Sequence, residues 1–325
     1  MSAISDAIRP FWLPRIQTVT GRPIKGLHGF LLDRQYQIYT APTAGRVELS
    51  CADLNPLLKA FAFDITRFAS AAIESIADVR PDSVFPKSTA WLMIRTYYAA
   101  FFSAHALSRM LGVSYTRFEG NHTASIYKVA DLFLSSPAMV IPRLNSGQYR
   151  CEVDYANNIV RCELLTSNAS GGYHEVFWTS FVKLLKQLSN NLLSATTGTP
   201  EANLRASEAL DALTNILETS GEPGSWLSKV RNAINYQQAL GCWFPYSDPK
   251  EKVGHTFARA EKWQLDLDKF NLSGNGDELE QFHSASLYLI ALCREIALDM
   301  SERAPRGKSF HSVGILALLR MSEAA

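Results

Sequence analysis

The sequence lacks a surplus of either charge. Its 325 residues include 32 Lys and Arg and 31 Asp and Glu, which gives a formal net charge of +1 at pH 7. A protein that coats nucleic acid through its whole surface needs a strongly basic composition, so this balance excludes an overall electrostatic footprint for RNA or DNA. Any contact with phosphate groups must therefore be local.

Cysteine is scarce, and no two cysteines stand in a Cys-x-x-Cys motif. The odd number and the wide spacing of the five residues favour reduced thiols that serve as small core residues in a cytosolic protein. They are Cys51, Cys151, Cys162, Cys242 and Cys293. The first residues, Met-Ser-Ala-Ile-Ser-Asp, lack the basic and apolar regions of a secretory signal. We therefore expect a cytoplasmic protein.

An uninterrupted hydrophobic run of membrane-spanning length is also missing. The longest apolar segment, residues 91–112, contains Arg95, His105 and Arg109, and no basic flank follows it. Charges inside a lipid-exposed helix are costly, so this segment is predicted to be a helix inside a protein core.

The motifs of several common active sites do not occur. The glycine spacing from Gly21 to Gly26 matches a phosphate-binding loop, but Leu27 stands where lysine is required. No His-Glu-x-x-His, Gly-x-Ser-x-Gly or Gly-x-Gly-x-x-Gly motif is present. His122 and His174 stand alone, and a lone histidine is more often a cap or a surface residue than a metal ligand. We predict neither a metal nor a cofactor.

The residues that are present predict a mainly α protein. Hydrophobic residues make up 47% of the chain, enough for a substantial core. Residues 91–112 are apolar on almost every face, which is typical of a helix enclosed by others. At about 100° per residue, Arg95 and Arg109 fall almost in line, and His105 lies within roughly 80° of that line. These groups either pair with neighbouring helices or face a cleft or a subunit interface.

The remaining periodicity predicts three regions. Residues 1–50 form an N-terminal arm, irregular or with short strands; residues 51–241 form an antiparallel helical bundle; and residues 242–325 form a loop and C-terminal helices that pack on it. Within the bundle, residues 148–165 alternate in polarity and predict a β-hairpin turning at Asn157 and Asn158. The expected register sets Asp154 opposite Arg161 and makes the two hairpin cysteines diagonal neighbours.

Two stretches of the sequence resemble the HEPN superfamily (higher eukaryotes and prokaryotes nucleotide-binding). The first runs from Tyr97 through Tyr-Ala-Ala-Phe-Phe-Ser-Ala-His-Ala to Arg109, and residues 121–123, Asn-His-Thr, follow it. The second is Val-Arg-Asn-Ala-Ile-Asn-Tyr, residues 230–236, in which Arg231, Asn235 and Tyr236 take the places of the family's arginine, aspartate and tyrosine. The resemblance covers roughly residues 88–240. It implies an all-α bundle, dimerisation and, in many members, metal-independent RNA cleavage.

The sequence departs from the family at the catalytic histidine. Active members carry a histidine that four to six residues separate from the arginine, and this chain has Tyr236, Gln237 and Gln238 at the corresponding positions. None of these side chains can exchange a proton near pH 7 as imidazole does. We therefore take His105, from the central helix, as the candidate for proton transfer and Arg231 as the group that would stabilise charge on a phosphate. The expected binding residues around them are Arg95, Arg109, Asn232, Asn235 and Tyr236.

Three functions remain open from the sequence. The first is a HEPN-like protein, a homodimer or bound to a protein partner, that binds RNA, a nucleotide or that partner in a bacterial toxin or antiviral system. The second is a non-catalytic interaction or scaffold subunit, in which Arg95, Arg109 and Arg231 form salt bridges and the segment from Trp243 to Tyr246 docks a partner. The third is a metal-independent endoribonuclease that uses His105.

Overall fold

A computed structural model describes residues 2–77, 88–134, 141–166, 172–221, 224–245, 256, 259–272 and 276–324. This part of the chain is mostly helical, with short 3-10 turns between the helices. The helices are α1 Ala3–Ile8, α2 Leu27–Asp33, α3 Asn55–Ile76, α4 Thr89–Met110, α5 Gly120–Leu134, α6 Tyr173–Ser194, α7 Pro200–Leu217, α8 Trp226–Tyr236, α9 Glu278–Glu302 and α10 Ile315–Ala324. The strands are β1 Arg46–Ser50, β2 Val113–Phe118, β3 Gly147–Asp154 and β4 Ile159–Thr166.

The central helix predicted for residues 91–112 is confirmed as α4. It packs against α3, α8 and α9, and nearly all of its side chains are buried. Small residues allow these close approaches, since Ala99, Ala100, Ser103 and Ala104 have no exposed surface. Gly112, at φ +81°, turns the chain from α4 directly into β2. The helix therefore joins the bundle to the sheet.

The predicted hairpin is confirmed as β3 and β4, but it belongs to a larger antiparallel sheet with the order β1-β4-β3-β2. The expected register was wrong by two residues. Arg161 pairs with Glu152, and Cys151 lies directly opposite Cys162. The reason is the turn: residues 155–158 form the loop and Asn158 adopts φ 56°, so the reversal is not a two-residue turn at Asn157 and Asn158.

The N-terminal arm is more helical than predicted. Helix α2 lies where short strands were expected, and strand β1 is confined to the end of the arm. The carboxylate of Asp64, in α3, accepts a hydrogen bond from the backbone N–H of Leu27 at 3.1 Å. This contact stabilises the start of α2 through a residue 37 positions away, which no local sequence pattern reveals.

One hydrophobic core extends from Ile4 in α1 to Leu319 in α10. Helix α1 packs against α7, and α10 packs against α3. Among the described helices, none has both the length and the apolar character needed to cross a lipid bilayer. The core places the N-termini of α6 and α8 against the aromatic face of α4, where the candidate site lies.

Candidate functional site

Arg231 lies inside a cluster of tyrosines at the interface of α4 and α8. Only 6% of Arg231 is exposed, and the side chain lies on the same helix as the buried residues Trp226 and Val230. Its guanidinium carbon lies 5.1 Å from the ring of Tyr97 and 5.7 Å from the ring of Tyr98. Arg231 therefore points towards the central helix and is held by cation–π contacts.

No carboxylate forms an ion pair with Arg231 within the described part of the chain, and its Nε atom has no hydrogen-bond partner there. Removing an arginine from water without an acidic partner is costly, and cation–π contacts recover only part of that cost. The third ring near the guanidinium, Tyr236, lies 6.0 Å away and is 72% exposed. The buried guanidinium thus lies near one accessible aromatic ring.

His174, in the first turn of α6, is the histidine that lies beside this arginine. Its Nδ1 atom forms a hydrogen bond of 2.9 Å with the hydroxyl of Tyr97, which also accepts a hydrogen bond of 3.1 Å from the indole N–H of Trp178. Burial, and then the positive charge of Arg231, lower the pKa of His174 to about 4. The imidazole is therefore neutral at pH 7, and within the described residues no hydrogen bond engages its Nε2 atom.

His174 stands alone in the sequence and was not among the predicted site residues. In the structure it takes the position beside Arg231 that was assigned to His105. His174 and Arg231 lie on different helices and are 57 positions apart along the chain, so no spacing rule connects them. The only local signal is that Tyr173 and His174 open a helix directly after two glycines.

His105 lies deeper than the tyrosine cluster and has no exposed surface. Its ring is stacked between Phe68 and Phe177, with centroid distances of 4.7 and 3.8 Å. Nδ1 accepts a hydrogen bond of 3.2 Å from Arg109, so the ring proton is on Nε2, which lies 3.2 Å from the hydroxyl of Tyr173. Burial, then Arg109 and His174, hold the pKa of His105 well below 6.5. This neutral side chain could act on a ligand only through Tyr173.

Arg109 is a buried cation that connects α4 with α3 and β2. Its guanidinium donates to the carbonyl oxygen of His105 at 2.9 Å and lies 3.8 Å from the carboxylate of Asp64. It also covers the ring of Phe68 at 4.5 Å. Burial lowers its pKa, and the charge of Asp64 opposes that shift. The structure thus places Arg109 in a salt bridge inside the fold.

The other predicted binding residues are spread along α4 and α8. Arg95 is half-buried and donates from Nε to the carbonyl oxygen of Ser75 at 2.9 Å, which ties α4 to the end of α3. Asn232 and Asn235 are half-buried on α8. Helix α8 ends at Tyr236 because the backbone takes positive φ values just beyond it.

The aromatic segment after α8 was predicted to dock a partner. Its first residue, Trp243, contacts the ring of Trp91 edge-on at 5.4 Å, and its indole N–H donates to the carbonyl oxygen of Ile234 at 2.7 Å. The backbone N–H of Phe244 donates to the Ser88 hydroxyl at the start of α4. The described part of this segment therefore fastens α8 to α4, and Tyr246 lies outside the described residues.

We define the Arg231 site as Tyr97, Tyr98, His174, Arg231 and Tyr236. Phe101 separates it from His105, with its ring 4.3 Å from His174 and 4.7 Å from His105. The site combines a cation without an acidic partner, a neutral imidazole and tyrosine rings. This combination suits a phosphate group with an attached aromatic base.

Elsewhere in the described residues, no group of three His, Cys, Asp or Glu side chains is arranged to hold a metal ion. Comparison of the chain with protein-family models gave no match, and searches against curated proteins and against solved structures gave no significant match either.

Proposed function

We propose that this protein is a HEPN-like helical protein that binds single-stranded RNA at the Arg231 site. The observation that carries the proposal is the burial of Arg231 beneath tyrosine rings, without a carboxylate partner among the described residues. A phosphate group would supply the missing negative charge, and guanidinium–phosphate contacts are strong because they are charge-assisted.

The exposed aromatic residues favour RNA over a bare anion. Tyr236, near Arg231, is 72% exposed, and Tyr173, beside the half-buried His174, is 41% exposed. Unpaired bases stack on such rings at about 1–3 kcal/mol per base. Since the net charge of the chain is only +1, affinity in this proposal comes from one local site and a few stacked bases.

RNA cleavage is a second candidate, and the position of His174 favours it. In the tautomer in which Nδ1 of His174 carries the proton and donates it to the Tyr97 hydroxyl, Nε2 can accept the proton of a ribose 2′-hydroxyl. The 2′-oxygen then attacks the adjacent phosphorus, the bond from phosphorus to the 5′-oxygen breaks, and the imidazolium returns a proton to that leaving oxygen. Arg231 stabilises the charge on the phosphate oxygens, and the products carry a 2′,3′-cyclic phosphate and a 5′-hydroxyl. The low pKa of His174 keeps it in the basic form, although it also makes the imidazole a weak base. In this mechanism His174, on α6, takes the role of the histidine that is missing after Arg231 on α8. His105 forms a hydrogen bond with the hydroxyl of Tyr173.

The wider context of the proposal comes from the family resemblance. It includes a cytoplasmic location, action as a homodimer or with a protein partner, and a role in a bacterial toxin or antiviral system. The alternative is a non-catalytic scaffold subunit. The buried salt bridge of Arg109 and the internal packing of Trp243 fit that alternative, whereas the unpaired Arg231 does not.

The test is a binding titration with a fluorescein-labelled 12-nucleotide oligouridine at two salt concentrations. Arg231→Ala should weaken binding by about tenfold or more, corresponding to the loss of one charge-assisted contact. Arg231→Lys should retain the charge and recover part of the affinity. The matched control is Arg205→Ala, which removes an exposed arginine on α7.

Melting temperature and sedimentation are measured on the same proteins. If Arg231→Ala binds RNA like the unmodified protein while both remain folded, RNA binding at this site is rejected. If Arg231→Ala instead converts a dimer into monomers, the scaffold function is favoured. Cleavage is followed on the same oligonucleotide, and His174→Gln should abolish it while leaving binding within about threefold.

A further inference from the structure

A cavity that shares no lining residue with the Arg231 site lies between α2, the first turns of α3 and the loop that precedes α2. Its volume is about 340 Å³. Phe30 and Ala60, both buried, are among the apolar residues that line it, together with Pro23 and Pro56. Ile24 stands at the edge of the cavity with 79% of its surface exposed. An apolar cavity of this size is at the lower end of the range for small-molecule sites.

The rim of this cavity is basic. Arg22, Lys25 and Lys59 line it, and the single acidic residue on the rim, Asp33, is bound to Lys25 at 2.8 Å. Arg22 and Lys59 form no ion pair within the described part of the chain. The rim therefore carries two cations that no protein carboxylate neutralises, in a chain whose overall charge is almost balanced.

The nearby start of α2 does not compete for the same anion. The glycines at 21 and 26 have the spacing of a phosphate-binding loop, which would place phosphate at the start of the helix. Asp64 already occupies that position, since its carboxylate accepts the N–H of Leu27 and lies against Gly26. An anion entering the cavity would meet the side chains of Arg22 and Lys59 instead.

We infer that this cavity binds a small organic anion whose apolar or aromatic body lies against Phe30 and Ala60 while its negative group contacts Lys59 and Arg22. The apolar lining favours a ligand with an apolar body, and the two cations favour a ligand with a negative group. The apolar lining gives little affinity for an inorganic anion, and the unpaired cations favour a charged ligand over a neutral one of the same shape.

The test uses two naphthylamine dyes of similar skeleton. The anionic probe is 1-anilinonaphthalene-8-sulfonate, and the neutral probe is N-phenyl-1-naphthylamine; both fluoresce when bound in apolar surroundings. The folded full chain should bind the anionic dye with a saturable component. Lys59→Gln should weaken that component by about two- to fivefold, the range measured for single exposed charge pairs, and the double variant Arg22→Gln/Lys59→Gln by about tenfold. Lys183→Gln, an exposed lysine on α6, is the matched control.

A steric variant tests the cavity independently of charge. Ala60→Leu adds side-chain volume to the buried wall and should reduce binding of both dyes, whereas Lys59→Gln should reduce binding of the anionic dye only. Thermal melting establishes that each variant is folded. Equal anionic-dye affinity in the unmodified protein, Lys59→Gln and Ala60→Leu would overturn the inference, as would equal loss in Lys183→Gln and Lys59→Gln. If Ala60→Leu does not fold, Ile24→Ser replaces it as the test of the apolar contact.

Discussion

The hydroxyl of Tyr97 lies 2.9 Å from Nδ1 of His174, and the indole N–H of Trp178 donates to the same hydroxyl. The Tyr97 oxygen thereby holds His174 against α4, the helix that also carries two of the rings around Arg231, those of Tyr97 and Tyr98. Tyr97 has no exposed surface, so its hydroxyl must find partners inside the protein. Burial is the main reason that the pKa of Tyr97 is raised, so the hydroxyl stays protonated at pH 7.

Tyr97→Phe should therefore lower both stability and RNA affinity. Two hydrogen bonds are lost and the indole N–H of Trp178 is left without its acceptor, so we expect a loss of about 1–3 kcal/mol in the free energy of unfolding. Urea denaturation followed by circular dichroism measures it. Tyr98→Phe is the control, because no hydrogen bond of the Tyr98 hydroxyl occurs within the described residues. Equal free energies of unfolding for the two variants would show that the hydrogen bonds of the Tyr97 hydroxyl do not stabilise the fold.

Stability should fall in mildly acidic solution because of buried histidines. Burial, and for His283 also the charges of Arg259 and Lys262, lower the pKa values of His283 and His311 to about 3. In the unfolded chain each histidine binds a proton as the pH falls through about 6.5. In the folded protein His283 and His311 stay neutral until about pH 3. The stabilising contribution is thus complete above pH 6.5 and is lost as the pH falls, at about 1.4 kcal/mol per pH unit for each histidine.

Equilibrium unfolding between pH 7.5 and 5 measures this slope. His311→Leu should reduce this slope by about 1.4 kcal/mol per pH unit, which corresponds to one proton. The substitution leaves no polar group without a partner, because both ring nitrogens of His311 already lack hydrogen-bond partners in the described structure. Above pH 7 the variant and the unmodified protein should give parallel curves. A slope between pH 6 and 5 that is the same in both proteins would contradict the burial of His311 as a neutral group.

Arg109 is expected to contribute more to stability than any exposed arginine. Arg109→Ala leaves Asp64 without its cation and opens a cavity beside Phe68, so the loss should be about 3 kcal/mol or more. Arg109→Met keeps the packing against Phe68 and should recover part of that loss. Urea denaturation compares both with Arg205→Ala, which should stay within about 0.5 kcal/mol of the unmodified protein. A small effect of Arg109→Ala would mean that the Asp64 pair is not formed in solution.

Gly26 is expected to be intolerant of a side chain. A Cβ atom at this position would lie 2.2 Å from the Asp64 carboxylate oxygen that faces it. Because Asp64 also holds the start of α2 and the guanidinium of Arg109, it cannot move away freely. Gly26→Ala should cost about 1–3 kcal/mol. Gly120→Ala is the matched control, since its Cβ would meet nothing within 4 Å; equal melting temperatures would argue against the close approach.

Local patterns in the sequence predicted several elements well. The continuous apolar character of residues 91–112 identified α4, and alternation identified β3 and β4 to within one residue of their outer ends. Both signals depend on neighbours along the chain, which is why they can be read without a structure. The pattern of residues 230–236 also directed attention to Arg231, but it did not reveal that this side chain is buried.

The sequence by itself determined the central helix α4, the two hairpin strands, the balance of charge and the absence of a histidine shortly after Arg231. Only the tertiary structure decided which groups meet. Tyr97 and His174 are 77 positions apart, and Leu27 and Asp64 are 37 apart, so their contacts depend on how helices pack rather than on any periodicity. Packing likewise decided the hairpin register, the depth of His105 and the basic cavity beside α2, because burial and pairing are properties of surfaces that come together only in the folded chain.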